Sequence, residues 1–280
     1  MIIIKTLIED TTNDCQLQSE HGLSLYIECS EHRMLFDVGG SSQFIENAKI
    51  MGVDLMKVDT VGISHGHQDH GGGLEAFLSE NQIAKIYIHR HAFDPHFSKR
   101  GENWVNIGLD PKIQNNPRII LVDHDFQISS DILIFTGVNG TRYVPAMNRN
   151  LYEYRDLERI NDNFSHEINL LMKDHENTVL VIGCAHKGVV NILDHVSQHL
   201  QTKPNWVIGG FHMSSQALGN SESGETIQSV AQELKQSNAQ FYTGHCTGDV
   251  AFQMMKKTMG NQLQKIATGV KLIIKTEENE

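Results

Sequence analysis

The chain has little proline: five in 280 residues, against 23 glycines. That balance excludes a Pro-rich disordered chain and favours many tight turns between regular elements. Cysteine is scarce too. Cys15, Cys29, Cys184 and Cys246 form no Cys-x-x-Cys pair, and reduced thiols are expected. No apolar run approaches the ~20 residues of a membrane span. Met1-Ile2-Ile3-Ile4 is apolar, but Lys5 and Glu9 interrupt it too soon for a secretory signal. The expectation is a soluble cytoplasmic protein with no membrane partner. Basic charge is also short: 23 Lys and Arg face 34 Asp and Glu, for a net charge of −11. Such a chain as a whole should not track a nucleic-acid backbone, so nucleic acid is not an expected partner.

What is present is a concentration of metal-ligand chemistry. Ser64-His65-Gly66-His67-Gln68-Asp69-His70-Gly71 packs three histidines and an aspartate into six positions. Imidazole nitrogen and carboxylate oxygen are the usual ligands of zinc, iron and manganese. The preceding Val61-Gly62-Ile63-Ser64 reads as the end of a buried strand. A turn leaving a strand can aim several such groups at one point.

Hydrophobic residues make up 39% of the chain, enough for a sizeable core. The N-terminal third is strand-rich: Ile2–Ile8, Leu23–Cys29 and Arg33–Val38 carry β-branched, aromatic and aliphatic residues with turns between. A helix with Phe44, Ile45, Ala48 and Met51 on one face follows, then strand Val58–Ser64, a short helix Leu74–Ser79 and strand Ala84–His89. From Thr178 onward strands alternate with helices: Thr178–Gly183, Gly188–Leu200, Trp206–Gly209, Gly224–Gln236, Gln240–Thr243, Gly248–Met259 and Val270–Ile274. Residues 93–165 are less regular, with two clear strands at Arg118–Val122 and Asp131–Phe135 and an irregular stretch over 143–150. So long an irregular segment reads as a lid or binding loop, or else as disorder. Two mixed sheets packed together, with helices on the outer faces, are predicted.

Three more histidines stand where apolar strands end, each among small residues that allow close backbone approach: His186 in Gly183-Cys184-Ala185-His186, His212 in Gly209-Gly210-Phe211-His212, and His245 in Thr243-Gly244-His245-Cys246. Strand ends on one rim of a sheet are where α/β folds build sites. His89 and His91 alternate without such glycines. His21, His32, His96, His124, His175, His195 and His199 read as surface or core residues. Cys184 and Cys246 each neighbour a candidate ligand and offer a thiolate to a metal, but buried packing is the preferred reading of both. Asp37 either orients a ligating histidine through its other ring nitrogen or caps the turn that follows it. Residues 90–160 hold nine basic and nine acidic side chains, leaving 14 basic and 25 acidic elsewhere. In this neutral middle Arg100, Arg142 or Arg149 meets an anionic substrate, or the segment is simply a solvated mixed-charge surface.

His-x-His-x-Asp-His after a strand, the upstream Phe36-Asp37-Val38-Gly39 and the strand-end histidines resemble the metallo-β-lactamase superfamily. Ile63 to His70, Gly183-Cys184-Ala185-His186-Lys187-Gly188-Val189-Val190-Asn191-Ile192, Gly209 to His212, His245-Cys246-Thr247-Gly248 and Glu167 are similar to one branch of it, that of 7,8-dihydropterin-6-yl-methyl-ribofuranosylaminobenzene 5′-phosphate synthase. The resemblance covers most of the chain and is weakest over 93–165. It implies an α/β, four-layer αβ/βα sandwich spanning 1–280 as one domain, with a substrate-binding or lid insertion around 93–165. It also implies two divalent metal ions, zinc before iron or manganese. His65, His67 and His186 would hold one ion; Asp69, His70 and His245 the other. The superfamily usually places a bridging acid or cysteine at a further strand end. Here that stretch ends in His212, which either fills the role or leaves the bridge missing.

The implied activity is a metal-dependent hydrolase or group-transfer enzyme. It would use metal-activated water, with Asp69 as the catalytic acid-bearing ligand, on a small phosphate- or pterin-type substrate. Arg142, Tyr143 and Arg149 are the substrate-binding candidates. A phosphodiesterase, lactonase or thioesterase is the alternative, and a metal- or ligand-binding sensor the non-enzymatic one. A homo-oligomer is compatible with all of these.

Overall fold

The computed structural model describes residues 1–155 and 157–275. In chain order, β1 (Ile2–Ile8), β2 (Ser24–Cys29), β3 (His32–Phe36), helix α1 (Gln43–Ile50), β4 (Thr60–Ile63), helices α2 (Gln68–Gly71) and α3 (Leu74–Glu80) and β5 (Lys85–His89) form the first half. Strands β6 (His96–Arg100), β7 (Asn103–Asn106), β8 (Ile119–Val122), β9 (Phe126–Ser129), β10 (Ile132–Phe135), β11 (Leu151–Arg155) and β12 (Glu158–Asn161) fill the middle. Then come β13 (Asn169–Asp174), β14 (Asn177–Val181), α4 (Val189–Gln198), β15 (Trp206–Ile208), the short ribbon β16 (Ser214–Ser215) and β17 (Asn220–Ser221), α5 (Gly224–Gln236), β18 (Gln240–Thr243), α6 (Asp249–Met259), β19 (Leu263–Lys265) and β20 (Lys271–Ile274).

Two seven-stranded sheets result, in the orders β20-β1-β2-β3-β4-β5-β8 and β19-β18-β15-β14-β13-β10-β9. Both are mixed. Pairing is antiparallel from β20 to β3 and parallel from β3 to β8. It is parallel from β19 to β14 and antiparallel from β14 to β9. The last strand, β20, returns to the N-terminal sheet and ties the two halves of the chain together.

The period-2 rule decides which side chains go where. Ile2, Ile4, Leu25, Ile27, Met34 and Phe36 of one sheet meet Ile132, Ile134, Leu170, Met172, Val179 and Val181 of the other. Their sequence neighbours Tyr26, Leu35, Val61 and Ile63 point the opposite way, under α1 and α3. Leu171, Leu180 and Val207 likewise point toward α4, α5 and α6. Helix, sheet, sheet, helix is thus the layer order, and the strands are apolar on both faces because both faces are covered.

The middle segment is more regular than its composition suggests. β6, β7, β11 and β12 make a four-stranded sheet, ordered β12-β11-β6-β7, while β8, β9 and β10 complete the two main sheets. Its strands were hard to read because β12 and most of β7 are exposed, so they lack a buried apolar face. Among the described residues no helix is long and apolar enough to cross a membrane.

Candidate metal centre

The site is built from strand ends on one rim of the two sheets. After β4, the Ser64 backbone N–H donates to Asp37 Oδ1 at 2.7 Å, and the Ser64 hydroxyl donates to Asp37 Oδ2 at 2.8 Å. His65 Nδ1 lies 2.8 Å from that hydroxyl oxygen. The hydroxyl proton is already given to Asp37, so Nδ1–H is the donor and His65 Nε2 keeps its lone pair. The chain then passes through Gly66, whose N–H donates to His166 Nδ1 at 3.0 Å. A Cβ there would stand 2.5 Å from the Ala92 carbonyl, so the glycine is required. His67 sits at the N-cap of α2, a single turn that lifts Asp69 and His70 toward the second sheet.

The same device repeats at three more histidines. His70 Nδ1 bonds Asp37 Oδ2 at 2.6 Å, and His245 Nδ1 bonds Asp10 Oδ1 at 2.6 Å. His186 Nδ1 bonds Asn148 Oδ1 at 2.9 Å. Carboxylate and amide oxygens only accept, so each Nδ1 carries a proton and each Nε2 is the ring atom turned inward. Two buried carboxylates hold the corresponding backbone. Glu167 accepts from the His186 and Lys187 N–H groups at 2.6 and 3.2 Å, and Glu9 accepts from His245 N–H at 2.5 Å. Burial pushes Glu167 up to about 7, against those bonds. Asp37, Ala185, His212 and His245 adopt left-handed backbone (φ +63°, +55°, +49° and +48°), a conformation that costs energy and clusters at functional sites.

The inward atoms converge. His70 Nε2 and His245 Nε2 are 3.2 Å apart, and Asp69 Oδ2 lies 3.5 and 3.3 Å from them. Two lone pairs at that separation repel unless a cation or proton stands between them. On the other side His65 Nε2 is 3.1 Å from His67 Nδ1, with the His186 ring 4.8 Å from the His65 ring. His67 Nε2 and His186 Nε2 are buried without any hydrogen-bond partner. Buried polar atoms are normally satisfied, so these orphans mark a missing ligand. Burial drives His65, His67 and His186 well below the ordinary imidazole range, which keeps them in the neutral form a metal needs. Burial works the same way on His70 and His245, but Asp37 and Asp10 respectively overcome it and hold both rings above that range. The residues present fit a divalent metal.

His65, His67, Asp69, His70, His186 and His245 are therefore brought together as two facing triads, and Asp37 orients His70. His212 stands beside them. Its ring is 4.1 Å from that of His186, both its nitrogens lack partners, and one of them gathers with the sulfurs of Cys184 and Cys246. Cys184 belongs to the site: its sulfur is 3.1 Å from His70 Nε2. The signal was its place two residues before His186 on the same strand-end turn. Asp10, Glu9 and Asn148 were also missed, because a carboxylate after β1 or an amide in an irregular loop carries no spacing that links it to a distant histidine. His96 and His166 are missed braces. Both bond Asp162 Oδ2 at 3.0 Å, behind the Gly66 turn.

The substrate-binding arginines divide differently from expectation. A cavity of about 380 Å³ opens over the centre, lined by His67, Asp69, His186, His212 and His245, with Ser98 and Arg100 of β6 on its wall. Arg142 is not there: its guanidinium pairs with Asp194 and Glu233, on α4 and α5. Tyr143 packs against the helix-side core, and Arg149 is not among the lining residues. Long side chains in an irregular loop can point anywhere, and the acidic faces of α4 and α5 captured Arg142.

Residues 20–147 match the family model described as the metallo-beta-lactamase superfamily. The chain is 26% identical over 285 residues to the 7,8-dihydropterin-6-methyl-4-(beta-D-ribofuranosyl)-aminobenzene-5′-phosphate synthase of Methanocaldococcus jannaschii, covering 96% of this chain and 95% of that one. It is also 26% identical over 260 residues to the uncharacterized protein MJ0448 of the same organism, covering 88% and 91%. Among solved structures, Tm1679, described as a metal-dependent hydrolase of the beta-lactamase superfamily, superposes with a TM-score of 0.83 at 26% identity, covering 99% of this chain and 100% of that one. The chain has the four-layer fold of the metallo-β-lactamase superfamily, and residues 20–147 carry that superfamily's sequence pattern.

Proposed function

We propose that the chain is a metal-dependent hydrolase or group-transfer enzyme working on a small anionic substrate, with two divalent ions, zinc before iron or manganese. The observation that carries this reading is the set of buried, inward-turned Nε2 atoms on His65, His70, His186 and His245, gathered beneath an open cavity with Asp69 among them. His65, His67 and His186 would hold one ion, and Asp69, His70 and His245 the other. Bound there, such ions lower the pKa of water to about 7 and polarise a carbonyl or phosphoryl oxygen.

The chain's own residues do the rest. Ser64, Asp37, Asn148 and Asp10 fix the direction of the His65, His70, His186 and His245 rings, so those donors need no reorganisation. Asp69 is the carboxylate at the cavity floor and orients the attacking water. Arg100, on the wall, meets the negative charge of the substrate. The small sheet of β6, β7, β11 and β12 is the segment that selects the substrate. The similarity to a pterin-linked synthase supports group transfer to or from such a ring system. The similarity to a metal-dependent hydrolase supports a phosphodiester, lactone or thioester instead. A panel of these esters, assayed with metal-reconstituted protein beside a dihydropterin pyrophosphate and an aminobenzene partner, separates the two. Metal retained with no turnover on any of them would favour a sensor.

A further inference from the structure

The six expected ligands contain a single carboxylate, Asp69. Two dications held by five neutral imidazoles and one carboxylate would leave a net charge of +3 in a largely buried centre. Such a charge is costly unless a further anion shares it. No acid fills that place: the strand end at Gly209-Gly210-Phe211 delivers His212 instead.

Among the described residues, the thiol of Cys184 gathers with two histidines of each triad, His65 and His186 on one side and His70 and His245 on the other. Its sulfur lies with ring nitrogens of His65 and His186 inside a set no wider than 4.8 Å. It lies equally with His70 and His245, at 3.1 Å from His70 Nε2. Donors bound to one zinc at about 2.0–2.3 Å sit roughly 3–4 Å apart, so these separations suit a sulfur shared between two ions. Two orphaned, nine-tenths-buried groups surround it, His186 Nε2 and the His212 ring. Its turn is pinned. A Cβ on Gly183 would stand 2.1 Å from Ser64 Oγ, and Gly183 C=O accepts from Gly210 N–H at 2.7 Å. Cys246 is different. Its sulfur accepts from His212 N–H at 3.3 Å, donates to the Cys184 carbonyl at 3.8 Å, and gathers with neither triad.

We infer that Cys184 is the bridging anionic ligand of the metal centre. It binds as thiolate, each thiol releasing one proton to solvent as its sulfur–metal bonds form. This rests on the metal-centre reading above and adds a ligand to it. The test is X-ray absorption at the zinc edge on full-length protein loaded with zinc, for the wild type, Cys184→Ala, Cys184→Ser and Cys246→Ala. The wild type and Cys246→Ala are expected to show a sulfur scatterer at about 2.3 Å. Both Cys184 variants are expected to lose it, and to bind the second ion at least tenfold more weakly. A shell of nitrogen and oxygen alone in the wild type would overturn the inference and leave the metal centre standing. So would sulfur that persists in folded Cys184 variants or disappears only in Cys246→Ala. A chain that retains no zinc at all would instead overturn the metal-centre reading beneath it.

Discussion

Asp37 Oδ2 lies 2.6 Å from His70 Nδ1, and both side chains are wholly buried. One carboxylate just after β3 therefore fixes the His70 ring delivered after β4, and it also ties down the Ser64 backbone that starts the motif. Asp37→Ala removes both bonds. It is expected to weaken the ion at Asp69, His70 and His245 by about 10–100-fold, the usual cost of losing such a partner. Competition against a chromophoric chelator measures this, and an affinity equal to that of the wild type would contradict the role.

Asp10 and Asn148 make a matched pair of probes. Asp10 orients His245, and Asn148 orients His186 through two bonds, one to Nδ1 and one from its amide to the His186 carbonyl at 2.8 Å. Asp10→Ala should weaken one ion and Asn148→Ala the other, each by about 10–100-fold. Stepwise zinc titration resolves the two. Equal weakening of both sites by both variants would contradict the separate triads.

Arg100 and Arg142 are predicted to behave oppositely. Arg100→Ala should raise KM for an anionic substrate roughly tenfold, about 1.4 kcal/mol, with kcat little changed. Arg142→Ala should leave KM alone, because that guanidinium is spent on Asp194 and Glu233. Its loss affects only exposed pairs, worth about 0–1 kcal/mol of stability. Steady-state kinetics on both variants decide between the arginines.

His89 supplies a pH dependence away from the metal ligands. Burial, with His166 and His91 pushing the same way, lowers it to about 4. In the unfolded chain histidine titrates near ~6.5. Between those values the unfolded state binds more protons, so stability rises with pH. The contribution is fully present above ~6.5 and is lost as pH falls toward 4. Urea midpoints measured from pH 7 to 4.5 should fall more steeply for the wild type than for His89→Gln. Parallel curves would contradict the assignment.

The sequence was most legible where local pattern and burial agree. The apolar runs of β1, β4 and β14 announced doubly covered strands, and the glycine-flanked strand ends announced His186 and His245. The ligand motif needed only six consecutive residues. What was hidden depends on the folded pairing of distant segments. Asp10 meets His245 across 235 positions, and Asn148 meets His186 across 38. No spacing rule encodes either contact. Cys184 was legible in place, but the role proposed for it was not, since a small buried thiol packs in the same way whether or not it binds a metal. The sheet of β6, β7, β11 and β12 was hidden because its exposed strands lack the alternation that marks a half-buried one.

His65, His67, Asp69, His70, His186 and His245 are proposed to form one two-ion catalytic centre. Metal content by inductively coupled plasma mass spectrometry, read beside turnover of an activated phosphodiester, ester and lactone panel, tests it for the wild type and His67→Ala. The account predicts two ions per chain in the reconstituted wild type, turnover that chelator abolishes and added metal restores, and at most one ion with no turnover in His67→Ala. Turnover that survives His67→Ala would contradict it.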